Sequence, residues 1–188
     1  MTTPILETQR LLLRPVVFDD HVWVQKLFSQ WEVTRYMLAG AVPWPYPADG
    51  AHQFFTQKLM PRIEEGVTKA WTIIDKADSA PIGILNLKPG FTDGGHRGFW
   101  LDATRHGRGY MSEIVHKTTD YAFGPLAMPL MRMNNAKENT ASAKLKINAG
   151  AVLIREEEVD FVAGRLTAQW WELTPAQWAT SPLKLKFG

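Results

Sequence analysis

The sequence predicts an α/β domain in which one mixed sheet carries helices on both faces. Three observations predict it. Short runs of leucine, β-branched and aromatic residues, bounded by Gly, Pro and Asp, come early and at hairpin spacing. Apolar residues at helical spacing separate the later runs. The chain has 188 residues, 45% hydrophobic and 21% charged, which suits a single domain over 1–188 with its own core.

Leu11 to Arg14 reads as the first strand, stopped by Pro15. Asp19 or Asp20 caps a helix to about Phe28, with Val22, Leu27 and Phe28 as its buried face. Pro43, Pro45 and Pro47 remove donors and fix φ, so 42–47 is a rigid aromatic loop. A second helix spans about 48–65, with Phe54, Phe55, Leu59 and Ile63 inward and its end blurred by Pro61. Strands at 71–74 and 81–85 form a hairpin, 89–95 is a glycine-rich loop, and 99–101 is a strand core. Met111, Ile114, Val115, Thr118 and Ala122 repeat at helical spacing, and Gly124-Pro125 ends that helix. A strand follows at 130–134. A helix capped by Asn139 or Thr140 comes next, with Ala141, Leu145 and Ala149 on one face. Two closing strands at 152–161 and 168–173 flank the Ala163-Gly164 turn.

The candidate site is His106-Gly107-Arg108-Gly109-Tyr110-Met111, which follows a strand and opens a helix. The first turn of a helix leaves N–H groups without partners and carries partial positive charge. Glycines let that backbone approach an anion, so the segment suits a pyrophosphate, with Arg105 and Arg108 adding charge. A tight turn alone uses glycines in the same way. The spacing is neither a dinucleotide fingerprint nor a Walker loop.

Four segments resemble, in order, the RimJ/RimL-like branch of GNAT superfamily acetyltransferases. They are the opening 7–15, the strand Gly98-Phe99-Trp100-Leu101, the loop 106–111, and Asn139-Thr140-Ala141-Ser142 with its helix ending at Gly150. His106, Met111 and Ala151 depart from the commonest residues of those motifs. The resemblance implies a mostly antiparallel seven-stranded sheet with a central splayed parallel pair, the strand ending at Leu101 and the one around Arg132. It implies acetyl-CoA as cosubstrate, with pantetheine in the gap pairing like an added strand. An acetyl group then passes directly to a primary amine, a protein N-terminus or a small-molecule amine, without an acyl-enzyme.

On that likeness His106, Gly107, Arg108, Gly109, Tyr110, Met111, Asn139, Ser142 and Leu101 bind the cofactor, with the Leu101 N–H as oxyanion donor. Ser142 stands by the leaving sulfur, in a helix that lacks the tyrosine many relatives use. His96, two residues before Gly98, is the candidate base, because imidazole titrates near neutral pH. Glu156 or Glu158, or a water, are alternatives. Trp31, Arg35, Tyr36, Trp44 and Tyr46 form one wall for the acceptor.

Other classes are set aside on composition. With no cysteine, disulfides, thiolate nucleophiles and Cys-ligated metals are excluded. His21, His52 and His116 lack metal-ligand spacing, so no metal is expected. A net charge of +2 argues against nucleic acid as partner. No signal peptide or membrane-spanning run is legible, which fits a cytoplasmic protein. A homodimer through the C-terminal strands or helices is compatible. Two alternatives remain at this point: a non-catalytic CoA-binding sensor, and an interaction module using the aromatics, Lys184 and Lys186.

Overall fold

In the computed structural model, residues 2–90 and 94–187 are described. A short strand β1 (Leu6–Glu7) turns into β2 (Leu11–Pro15), so Pro15 is the last residue of the strand and pairs with Trp71. A single 3-10 turn leads into α1 (His21–Phe28) and then α2 (Trp31–Thr34). The proline-rich 42–47 is a loop, as expected.

The second helix is built from α3 (Gly50–Phe54), a π turn (Phe55–Leu59) and α4 (Met60–Glu64). The wide turn lies just before Pro61, whose ring crowds the carbonyl four residues back and gives no N–H. It also shifts the buried stripe, so Phe55 and Leu59 are inside and Phe54 is exposed. On α1 the reading likewise needs correction: Val24 is buried and Val22 faces solvent.

Five strands form one antiparallel sheet in the order β1-β2-β3-β4-β5, with β3 (Lys69–Asp75), β4 (Ala80–Leu87) and β5 (Arg97–Leu101). Part of the expected loop 89–95 lies outside the described residues. After β5 come α5 (Tyr110–Phe123), β6 (Met131–Ala136), α6 (Thr140–Asn148), β7 (Val152–Phe161) and β8 (Gly164–Leu173). A second antiparallel sheet has the order β6-β8-β7. The described strands thus number eight in two sheets rather than seven in one. Two short helices, α7 (Pro175–Ala179) and α8 (Pro182–Phe187), close the chain.

Alternation along the strands sends side chains to two cores. Leu11, Leu13, Trp71, Ile73 and Leu85 pack under α5, whose Ile114, Val115 and Ala122 are fully buried. Val16, Ala70 and Ile84 pack on the other face against Val24, Ala51, Phe55 and Leu59. Trp71 anchors the first core: its Nε1 donates to the Pro4 carbonyl at 2.7 Å and its ring meets Tyr121 edge-on.

The two sheets meet at β5 and β6. His96 N donates to the Arg132 carbonyl at 2.8 Å, and Arg132 N donates to His96 Nδ1 at 2.7 Å. Both strands start at this junction, and no ladder joins them beyond it among the described residues. That opening is the splay implied by the resemblance.

Candidate active site

The gap exposes a strand edge. Asp102 N donates to the Ile82 carbonyl, and Lys88 N donates to the His96 carbonyl. In the antiparallel register of β4 and β5 these bonds place even-numbered residues of β5 in the hydrogen-bonded positions. The N–H and C=O groups of Phe99 and Leu101 therefore point away from β4, into the gap. His106 fixes one of them, its Nε2 lying 3.0 Å from the Leu101 carbonyl. Among the described residues, the Leu101 N–H and the Phe99 N–H and C=O groups meet no backbone partner across the gap.

The glycine loop borders the same gap. Asp102 caps the 3-10 turn 103–105 by accepting from Thr104 N. Gly107 and Gly109 then take φ of 74° and 77°, a region costly for side chains with a Cβ. Gly109 is the N-cap of α5, with no side-chain cap bond. Among the described residues, the backbone N–H groups of 107–111 donate to no protein acceptor. A row of such donors at a helix N-terminus has the geometry and partial charge to receive an anion.

Contacts from distant parts of the chain hold this loop. Arg10 donates to the Arg108 carbonyl at 3.0 Å, pairs with the buried Glu113, and lies 4.5 Å over the Tyr110 ring. Thr8 also donates to Glu113. Tyr110 keeps its N–H in the row but buries its ring, with its hydroxyl 2.8 Å from Asp75. Met111 packs against the main core. Arg105 does not face the loop: it is spent on Asp75 at 2.9 Å and Asp78 at 2.5 Å. Arg108 is exposed and has no carboxylate partner among the described residues.

Asn139 and Ser142 open α6. Asn139 Oδ1 accepts from Ser142 N at 3.1 Å, the expected N-cap. The inward face of α6 differs from the expected apolar stripe, since Ala141 is exposed while Ser142, Lys146 and Ala149 are buried. Lys146 Nζ lies 2.8 Å from Ser142 Oγ. Nearby, Arg97 is buried, donates to Thr119 Oγ1 at 2.9 Å and contacts Met133 Sδ. Its Nε has no partner among the described residues. Burial pulls the Arg97 pKa down to about 10.

His96 sits at the seam between the two sheets. Its Nδ1 lone pair accepts the Arg132 N–H, which places the ring proton on Nε2 in the neutral form. Glu156 is exposed and held by Gln169 and Lys137, which lower its pKa. Glu158 accepts from Thr167.

The aromatic residues divide. Trp100 faces the side opposite Phe99 and packs near Trp23 and Phe28, with ring centroids at 5.7 and 5.2 Å, and Phe28 meets Tyr46. Burial raises the Tyr46 pKa to about 12. Trp31 and Trp44 lie 5.3 Å apart and exposed. Arg35 stacks on Tyr36, which packs on Phe161 and Ala168 of the second sheet. The segment is tied there by Ala39 N to the Asp160 carbonyl, and by Val162 N and Ala163 N to the Met37 and Arg35 carbonyls. It therefore spans from the first sheet's helices to the end of the second sheet.

Residues 10–152 match the family model described as the acetyltransferase (GNAT) domain. The chain belongs to the GNAT acetyltransferase family. It is an acetyl-CoA-dependent N-acetyltransferase. A curated relative, the uncharacterized N-acetyltransferase p20 of Bacillus licheniformis, is 29% identical over 142 residues, 74% of this chain and 78% of that protein. Mycobacterium smegmatis RimJ, solved in complex with CoA-disulfide, superposes with a TM-score of 0.80 at 15% identity, covering 97% of this chain and 94% of that one. The spermidine N-acetyltransferase of Vibrio cholerae, solved with CoA and spermine, gives 0.74 at 16% identity over 92% and 100% of the two chains. At these identities the two structures speak to the fold.

Proposed function

We propose that this GNAT enzyme transfers acetyl from acetyl-CoA to a primary amine, a protein N-terminus or a small-molecule amine, that enters from the Trp100 face of β5. The observation that carries the reading is the open edge of β5 beside five outward N–H groups. Residues 107–111 hold the pyrophosphate, Phe99 pairs with the pantetheine amides, and Asn139 orders the start of α6. The Leu101 N–H receives the developing oxyanion. Ser142 stands at the leaving sulfur. Trp31, Trp44, Arg35 and Tyr36 shape the acceptor's wall, and bound water takes its proton, since the His96 lone pair is engaged. Acetyl-CoA, when bound, supplies the activated acyl group and a thiol leaving group.

The enzyme works in the cytoplasm. Val152, Leu153 and Ile154, exposed on edge strand β7, offer an apolar strip for a homodimer. The test is CoA release from acetyl-CoA with three acceptor classes: an N-terminal peptide amine, a polyamine and a free amino acid. Turnover with one class names the acceptor. Tight acetyl-CoA binding with turnover of none overturns the acceptor assignment.

A further inference from the structure

Helix α6 turns an unusual pair inward. Lys146 follows Ser142 by one helical turn, is 2% exposed, and donates to Ser142 Oγ at 2.8 Å and to the Ser142 carbonyl at 3.4 Å. Its Nζ reaches across the seam to within 6.0 Å of the Phe99 ring centroid on β5. The charged group facing it from β5 is Arg97, whose guanidinium is tied to Thr119 of α5 and Met133 of β6. Neither cation has a carboxylate within ion-pair distance among the described residues.

An ammonium in such a place is costly, and a leucine or methionine would fill the same space without that cost. Burial first, and then the Arg97 charge, hold the Lys146 pKa well below the usual lysine range. Lysine here is explained by its proton rather than by its packing.

We propose that Lys146 is a positioning residue that supplies, through Ser142, the proton taken up by the departing CoA sulfur. The proposal rests on the reading that Ser142 stands at that sulfur. The acceptor nitrogen forms the N–C bond with its lone pair, and the C–S bonding pair returns to sulfur. Ser142 Oγ gives its proton to the sulfur and takes one from the Lys146 ammonium. The acceptor nitrogen loses its proton to solvent, and Lys146 regains one from solvent before the next turnover. Protons and charge balance over the cycle. A lysine titrating nearer neutrality yields its proton more readily than an ordinary one.

The test follows Lys146 in the intact protein by NMR with carbon-13 at the lysine ε position. The signal is assigned by its loss in Lys146→Met or, if that variant does not fold, in Lys146→Arg. CoA is added, and desulfo-CoA, which lacks only the sulfur, serves as control. Thermal unfolding reports whether each binds. The relay predicts that Lys146 titrates well below the other lysines. With CoA bound, the thiol and Lys146 should titrate as a coupled pair, so the Lys146 midpoint moves by about tenfold in proton affinity from that of the free protein. Desulfo-CoA should leave it unchanged, and Ser142→Ala should abolish the sulfur's effect.

If both ligands bind and Lys146 titrates alike with and without the sulfur, the relay is wrong and the acyl-CoA reading stands. A sulfur effect that survives in Ser142→Ala removes Ser142 from the path and overturns the relay as well. If neither ligand stabilises the protein, the placement of CoA in this gap falls, and the relay falls with it.

Discussion

Two glycines give a matched pair of substitutions for the phosphate cradle. Gly107 has φ of 74° and Gly66 has φ of 76°, and a Cβ at either position meets nothing within 4 Å. Alanine therefore costs only backbone strain at both sites, roughly 1–2 kcal/mol for a left-handed residue. In a chain of this size that lowers Tm by about 2–8 °C in each variant. The consequences for acetyl-CoA differ. Gly66 ends α4, with its N–H on the Ile63 carbonyl, and Gly107 lies within the row of outward N–H groups. Relaxing the strain at 107 turns at least one donor away from the pyrophosphate. A hydrogen bond to a charged group contributes about 1.5–3 kcal/mol, so Gly107→Ala should weaken acetyl-CoA by about ten- to hundredfold. Gly66→Ala should bind as wild type. Calorimetric titration and thermal unfolding of both variants decide it. If Gly107→Ala loses stability but keeps wild-type affinity, or if both variants lose affinity equally, the cradle argument is refuted.

Further predictions concern His96, Asp20, Ser142 and Trp44. His96→Ala should cost about 1–3 kcal/mol by stranding the Arg132 N–H, whereas His96→Asn, which can still offer an acceptor, should restore stability and keep most of kcat. A folded His96→Asn enzyme with kcat down by about a hundredfold or more would make His96 a base after all. Asp20 is buried, which alone raises its pKa, but hydrogen bonds from Arg14, Trp23, Val17 N and Thr72 outweigh burial and lower it. Its stabilising contribution is therefore full above the unfolded carboxyl pKa and is lost as pH falls through the lower folded value. Urea unfolding should show Asp20→Asn less stable near neutrality and less sensitive to acid than wild type. Ser142→Ala should lower kcat by about ten- to hundredfold with acetyl-CoA KM nearly unchanged, read by steady-state CoA release. Trp44→Ala should raise KM for the amine and leave acetyl-CoA binding intact.

Local chemistry made much of this enzyme legible. Glycines at 107 and 109 need only their own φ, and the apolar period of α5 is strong over fourteen residues. What escaped depends on distance or on a change of period. The π turn before Pro61 rotated the stripe and put Phe54 outside. Arg105 has Asp75 and Asp78 across a hairpin that no local pattern reveals, and the same holds for Arg10 with Glu113. The inward polar face of α6 was hidden because Ala141, Leu145 and Ala149 keep an apolar spacing, while Ser142 and Lys146 are recognised only once β5 closes over them. One missed element did carry a signal: Thr174 and Gln177 form a capping box with Pro175 at the start of α7.

Amide hydrogen exchange with and without saturating acetyl-CoA tests the central claim most directly. If the cosubstrate lies in the gap between β5 and β6, the amides of 107–111 and those of Phe99 and Leu101 should gain protection together. The matched strand amides of Gly98 and Trp100, already facing β4, should change little. Binding that protects another surface, or that leaves 107–111 exchanging as in the free protein, would contradict the account.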